Sequence, residues 1–104
     1  DKAIELIEQD QYDFICVYNQ EHDSVMHLSH PLSKKSLRAI DNYCESFDRI
    51  ANAVKNHWSH HDTLIGFATD HGTHRAWYGL GDHGKNIPAD MNITHLYEIF
   101  PAKK

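Results

Sequence analysis

The sequence predicts an α/β domain that forms part of a doubly wound, mainly parallel sheet. Two short apolar and β-branched runs, 14–18 and 63–68, are typical of strands covered on both faces. Between them, over 33–58, apolar residues recur at helical spacing. A strand, a long helix and a second strand make a right-handed parallel crossover unit. We therefore expect residues 1–104 to form a single α/β domain.

The elements are predicted in the order helix, strand, long helix, strand and hairpin. Apolar residues at helical spacing indicate a first helix from Lys2 to about Gln9, with Asp1 as its N-cap. The long helix begins after Ser33, a natural N-cap, and no Gly or Pro interrupts it as far as Trp58.

Three further segments are less regular. The segment 19–32 has no hydrophobic period and is predicted to be a loop. The segment that follows the second strand as far as Pro88 contains most of the glycines and is predicted to be hairpin-like. The pattern of 92–100 is compatible with either a strand or a short helix.

Composition excludes some classes of protein. No apolar run approaches the length that spans a bilayer, so no membrane segment is expected. The net charge is −5 and the Lys and Arg residues are scattered, which argues against a nucleic-acid-binding surface. Cys16 and Cys44 lie within apolar patterns and are predicted to be buried thiols, which favours a reducing, cytoplasmic compartment.

The unusual feature of the composition is its ten histidines. Histidine is the commonest metal ligand in proteins. The candidate ligands follow the predicted strands or lie in the last glycine-containing loop: Asp23, His27, Asp70, His71 and His83. Because the carboxyl ends of parallel strands share one edge of a sheet, we expect these side chains to converge. Oxygen and nitrogen ligands of this kind suit zinc, manganese or iron.

Other polar and aromatic residues have simpler interpretations. His74 could face the site because it lies close to His71 in sequence, whereas Asp82 is interpreted as a turn residue. Trp77 and Tyr78 could stack on a substrate or pack within a hairpin. The remaining histidines outside the motifs are expected to be solvated or to cap helices: His22, His57, His60, His61 and His95.

Three segments resemble motifs of the alkaline phosphatase superfamily. The segment 23–31 is similar to its Asp-x-x-x-His-x-x-Gly-Pro motif, although His30 stands where the family often has Gly. The segment 68–72 is similar to its Thr-Ala-Asp-His-Gly motif, and 81–88 to its last ligand loop. Phosphopentomutases, cofactor-independent phosphoglycerate mutases and nucleotide phosphodiesterases are the nearest in character. The resemblance implies an alkaline-phosphatase-like fold, of which this chain would be the C-terminal fragment.

The resemblance also implies a set of ligands. Asp23, His27 and His83 would bind one divalent ion, and Asp70 and His71 would bind a second, each zinc or manganese. The remaining Asp ligand and the Ser or Thr nucleophile would come from an upstream part of the same protein. No catalytic residue or substrate-binding residue is therefore assigned within these 104 residues.

The function that follows is metal-dependent hydrolysis of small-molecule phosphate mono- or diesters, with the isolated chain inactive. One alternative is a degenerate, non-catalytic module that binds a metal or a partner. A second is a phosphomutase or transferase on the same scaffold, although Leu28 and Ser29 stand where phosphopentomutases have Arg residues.

Overall fold

A computed structural model describes residues 1–103. Among these residues there are four helices and four short strands. Their bounds are α1 Lys2–Gln9, α2 Glu21–Leu28, α3 Lys34–His57, β1 Thr63–Ala68, β2 His74–Arg75, β3 Gly81–Asp82, α4 Pro88–Met91 and β4 His95–Phe100. Within the described part of the chain, no helix is both long enough and apolar enough to cross a membrane.

The prediction of a doubly wound, mainly parallel sheet is wrong. The strands form two separate two-stranded sheets, β1 with β4 and β2 with β3, and both are antiparallel. The described residues therefore contain no parallel crossover unit, and the fold is not that of an alkaline phosphatase.

The error has a physical cause in the two apolar runs. Residues 14–18 form no strand, and Phe14 and Tyr18 are 83% and 77% exposed. In β1, Leu64 is 64% exposed whereas Ile65 is 8% exposed, so the strand is covered on one face only. A half-covered strand suits an antiparallel pair, whereas a parallel sheet must be covered on both faces.

The chain divides into two compact units. The first contains Asp1–Tyr18, Cys44–Phe67 and the described residues from Leu96 onward. Its core combines α1, the second part of α3 and β1, and consists of the buried side chains Ile7, Ala51, Ala53, Val54 and Ile65. Cys16 and Cys44 are exposed in this unit, so the prediction that both thiols are buried is wrong.

The second unit contains Asn19–Tyr43 and Ala68–His95, and it includes all five predicted metal ligands. Met26 of α2 is fully buried here, and α2 packs against β3. The predicted hairpin is confirmed, because His74 of β2 pairs with Asp82 of β3 in antiparallel register. The prediction of a loop throughout 19–32 is wrong, because α2 forms within it.

The predictions that rest on caps and hydrophobic periods within one segment are confirmed. Helix α1 has the predicted bounds, and the Asp1 carboxylate accepts a hydrogen bond from the Ala3 amide. Ser33 caps α3, since its hydroxyl accepts from the Ser36 amide at 3.0 Å. In the segment 92–100, whose pattern is compatible with a strand or a short helix, His95–Phe100 forms strand β4.

Candidate metal centre

Helix α2 places the first two ligands one turn apart. Asp23 and His27 are at positions i and i+4, which lie on the same face of a helix. The Asp23 Oδ1 and His27 Nε2 atoms are 3.4 Å apart. Met26 of the same helix is fully buried, whereas the side chains of Asp23 and His27 stay 38% and 37% exposed.

The hairpin supplies the third ligand. His83 follows β3 directly, and its Nε2 lies 3.1 Å from Asp23 Oδ1. The ring centroids of His27 and His83 are 5.0 Å apart. One ligand atom from each of Asp23, His27 and His83 lies within 4.8 Å of the other two, so these three side chains can reach one ion.

Asp70 and His71 lie beside this triad. His71 Nε2 is 3.6 Å from Asp23 Oδ1 and also 3.6 Å from Asp70 Oδ1. Its ring stacks on that of His83, with the centroids 3.7 Å apart. The Asp70 side chain is 75% exposed and lies at the rim. The structure thus brings all five predicted ligands together.

Gly72 permits the approach of the His71 segment to α4. The Gly72 amide donates to the Asp90 carbonyl at 2.7 Å. A β-carbon on Gly72 would lie 1.9 Å from the Ala89 carbonyl oxygen, so no larger residue fits without movement of the backbone.

Asp23 Oδ1 is the centre of the arrangement. This atom is shielded from solvent and accepts no hydrogen bond, although the Nε2 atoms of His83, His27 and His71 lie 3.1, 3.4 and 3.6 Å away. The three imidazole nitrogens are therefore close enough to Asp23 Oδ1 for ion pairs, but none of them makes a hydrogen bond to it. Two ligands bound tetrahedrally at zinc distances are separated by about 3.3–3.6 Å. The distances of His27 and His71 from Asp23 lie within this range, and that of His83 is about 0.2 Å shorter.

Backbone carbonyls orient two of the imidazoles. His27 Nδ1 lies 3.1 Å from the Gly81 carbonyl oxygen, and His71 Nδ1 lies 2.9 Å from that of Gly72. A carbonyl can only accept, so Nδ1 carries the proton in each ring and Nε2 keeps its lone pair when the ring is neutral. Metal-binding histidines usually donate their other ring N–H to a carbonyl or a carboxylate in this way.

A buried His–Asp pair, which the sequence did not reveal, adjoins the ligands. Asp90 is 1% exposed, and its carboxylate oxygens lie 2.7 and 2.9 Å from His74 Nδ1. Burial raises the pKa of Asp90, but the hydrogen bonds from His74 and the Lys85 amide outweigh it, so the pKa is below its ordinary value. His74 Nε2 is shielded from solvent and has no hydrogen-bond partner.

His22 differs from the solvated role predicted for it. Its Nε2 is shielded and has no hydrogen-bond partner, and its amide donates to the Tyr43 hydroxyl at 2.7 Å. Burial lowers the pKa of His22, and the charge of His71 acts in the same direction, while Asp23 opposes both. The imidazole is therefore disposed to be neutral, the form that binds metals.

Asp82 and Trp77 belong to the hairpin segment, and the structure shows the contacts of both side chains. Asp82 accepts from the His83 amide at 2.8 Å, as expected for a turn residue, and this bond is the main reason that its pKa is lowered. Trp77 is 94% exposed, so its ring does not pack within the hairpin core. Its contact is the edge of the Tyr78 ring, with centroids 5.6 Å apart.

Comparison of the chain with protein-family models, with curated proteins and with solved structures found no match.

Proposed function

We propose that this chain binds a divalent metal ion, zinc or manganese, through Asp23, His27 and His83, and that the metal serves the hydrolysis of phosphate mono- or diesters. The observation that carries the proposal is the solvent-shielded Asp23 Oδ1, which faces three imidazole Nε2 atoms without a hydrogen bond. A buried carboxylate oxygen without a partner is costly. A bound cation would remove that cost.

The chemistry of the donor set supports the choice of metal. One carboxylate and two imidazoles form a three-ligand set that leaves a fourth tetrahedral position for water or substrate, as in catalytic zinc sites. Asp23, His27 and His83 would hold the ion, and the carbonyls of Gly81 and Gly72 orient the rings of His27 and His71. The chemistry that an ion would supply there is polarisation of a phosphoryl oxygen and a lower pKa of the attacking group.

A second ion is part of the proposal, as a weaker site at Asp70 and His71. His71 Nε2 lies 3.6 Å from a carboxylate oxygen of Asp23 and 3.6 Å from one of Asp70, so it is within reach of both positions. Asp70 is largely exposed, so this pair offers two donors at the rim rather than a closed set. Two-metal sites clamp the attacking and leaving oxygens of a phosphate ester.

Phosphate esters are proposed as the substrate class because of the three segments that resemble the alkaline phosphatase superfamily. The superfamily fold is not part of the proposal. The nucleophile is expected to be a group that residues 1–103 do not provide.

A non-catalytic metal-binding module is the second candidate, and the hydroxyls near the ligands favour it. Thr69 donates its hydroxyl hydrogen to the Thr94 carbonyl at 3.0 Å, and Ser29 donates to the Val25 carbonyl at 2.7 Å. Both hydroxyl hydrogens are thus directed to backbone carbonyls, which are not general bases that would activate a nucleophile, so metal binding and turnover must be tested separately.

Calorimetric titration with zinc tests the metal site. The titration uses a chain with His60→Ala and His61→Ala, so that these exposed imidazoles do not contribute. We expect one tighter site that His83→Ala abolishes and His71→Ala only weakens. His57→Ala, which changes an exposed histidine in the first unit, is the matched control and should leave the affinity unchanged. Equal losses in His83→Ala and His71→Ala would contradict the assignment of the triad.

A further inference from the structure

A second cluster of ligand atoms lies in the first unit, independent of the site proposed above. Asp10 Oδ2 is 3.1 Å from His60 Nε2, and Asp10 Oδ1 is 3.0 Å from His61 Nε2. One ligand atom from each of these three residues lies within 4.8 Å of the other two. We propose that Asp10, His60 and His61 form a surface site for a divalent transition metal of the zinc, nickel or copper type.

The two imidazoles are held against each other as well as against the carboxylate. Their ring centroids are 4.0 Å apart, and both Nε2 atoms face the single Asp10 side chain. If both rings were protonated, their positive charges would repel at this separation. One divalent ion would satisfy both nitrogen lone pairs and the carboxylate without that repulsion. Two imidazoles and one carboxylate hold zinc in some catalytic sites, and imidazole ligands also suit nickel and copper.

The end of α1 makes this position favourable for a cation. Asp10 is the C-cap of α1, and no basic residue occupies the last turn of that helix. The exposed carbonyls of a helix C-terminus carry partial negative charge, and the Asp10 carboxylate adds to it. Asp10 also has a left-handed backbone, with φ of 49°, a conformation that Asp and Asn tolerate better than most residues.

The turn that carries the histidines is fixed to the same helix end. The Trp58 indole donates to the Ile7 carbonyl at 2.9 Å, and Ile7 is 2% exposed in the core. The His61 amide donates to the Trp58 carbonyl at 2.9 Å, which closes the turn. The backbone around the ligands is therefore organised before any ion arrives, which reduces the entropy cost of binding.

The test is a titration of the full chain with Ni²⁺, followed by NMR of the imidazole resonances. Bound paramagnetic Ni²⁺ should broaden the His60 and His61 signals, and it should do so equally in a His83→Ala chain that lacks the other proposed site. In Asp10→Asn, the new residue tolerates the left-handed backbone at position 10, but the negative charge of the carboxylate is lost. This substitution should weaken binding at least about tenfold, in line with the loss of a group that supports a metal site.

Two controls make the result decisive. His57→Ala alters an exposed histidine at the end of α3 and should leave the titration unchanged. The double variant His60→Ala/His61→Ala should abolish the site, and both side chains are exposed enough, at 61% and 48%, for the fold to tolerate it. Absence of broadening at these two rings, or broadening that Asp10→Asn does not weaken, would overturn the proposal.

Discussion

Gly81 lies so close to Met26 that a β-carbon on Gly81 would be 2.2 Å from the methionine sulfur and 2.4 Å from its carbonyl oxygen. The sulfur could move, but the carbonyl belongs to the backbone of α2. Because Met26 is fully buried, the helix has little room to retreat. The absence of a side chain at Gly81 therefore sets the distance between the helix that carries Asp23 and the strand that leads to His83.

We predict that Gly81→Ala lowers the free energy of unfolding by about 1–3 kcal/mol, the usual cost of overpacking a core. Zinc affinity should fall with it, since His27 and His83 would move apart. Gly66→Ala is a suitable control, because its β-carbon would meet the Tyr97 ring at 2.9 Å, in the unit without the triad. Urea denaturation and zinc calorimetry measure the two effects. A Gly81→Ala chain with unchanged affinity would show that this contact does not position the ligands.

The N-cap of α3 provides a second prediction. The Ser33 hydroxyl accepts from the Ser36 amide at 3.0 Å, and Ser36 is fully buried. Ser33→Ala should reduce the free energy of unfolding by about 1 kcal/mol, whereas Ser33→Asp should restore most of it, because Asp is an equally good cap.

Ser46→Ala is the matched control for the cap, since Ser46 lies in the interior of α3. There alanine is the better helix former, so we expect no loss of stability. If Ser33→Ala and Ser46→Ala gave equal midpoints of urea denaturation, the cap would have no special role.

How far the sequence predicted the fold depends on how local each signal is. Helices α1 and α3 and strand β1 were predicted correctly, because caps and hydrophobic periods lie within each segment. The arrangement of the strands was predicted wrongly, because β1 pairs with β4, which lies far along the chain and leaves no signal within the β1 segment. The run 14–18 has the composition of a strand, but it pairs with no strand among residues 1–103.

The candidate site shows the same division. The spacing of Asp23 and His27 predicted a shared face if the segment were helical, and the segment is helical. The role of Asp90 was missed because its partner, His74, lies 16 positions away in the sequence. The periods of helices and strands predict contacts only between residues that are close in sequence. The available signal was Pro88, which occupies the start of α4 and places Asp90 in its first turn.

The buried Asp90 carboxylate gives a prediction about pH. Its pKa in the folded chain is below the ordinary value of 3.8, because hydrogen bonds to its ionised form outweigh burial. As the pH falls, the unfolded chain takes up this proton first. The ionised carboxylate therefore stabilises the fold above pH 3.8, and that contribution is lost as the pH falls through the lower, folded-state pKa.

Asp90→Asn should be less stable than the wild type near neutral pH, and the difference should shrink as the pH falls below 3.8. Urea denaturation at a series of pH values measures it. Asp48→Asn, on an exposed position of α3, is the control for the removal of one negative charge. A constant difference between wild type and Asp90→Asn across the acid range would exclude the proposed linkage.

The last prediction concerns turnover by this chain alone. We expect it to hydrolyse phosphate esters no faster than the same concentration of free metal. A phosphoryl group must be attacked in line by a nucleophile held within about 3–3.5 Å, and this positioning supplies much of the rate enhancement. The Thr69 hydroxyl is engaged with the Thr94 carbonyl, and the Ser29 hydroxyl with the Val25 carbonyl.

The measurement is release of p-nitrophenol from p-nitrophenyl phosphate and from its bis-ester, with added zinc or manganese. Thr69→Val, Ser24→Ala and Thr73→Ala test the hydroxyls that flank the ligands, and His83→Ala tests the metal. Fast turnover that one hydroxyl substitution removes would place the nucleophile inside this chain. Fast turnover that only His83→Ala removes would show that metal-bound water is a sufficient nucleophile. Either result would contradict the expectation, because in each case the described residues would contain a complete catalytic centre rather than its metal ligands alone.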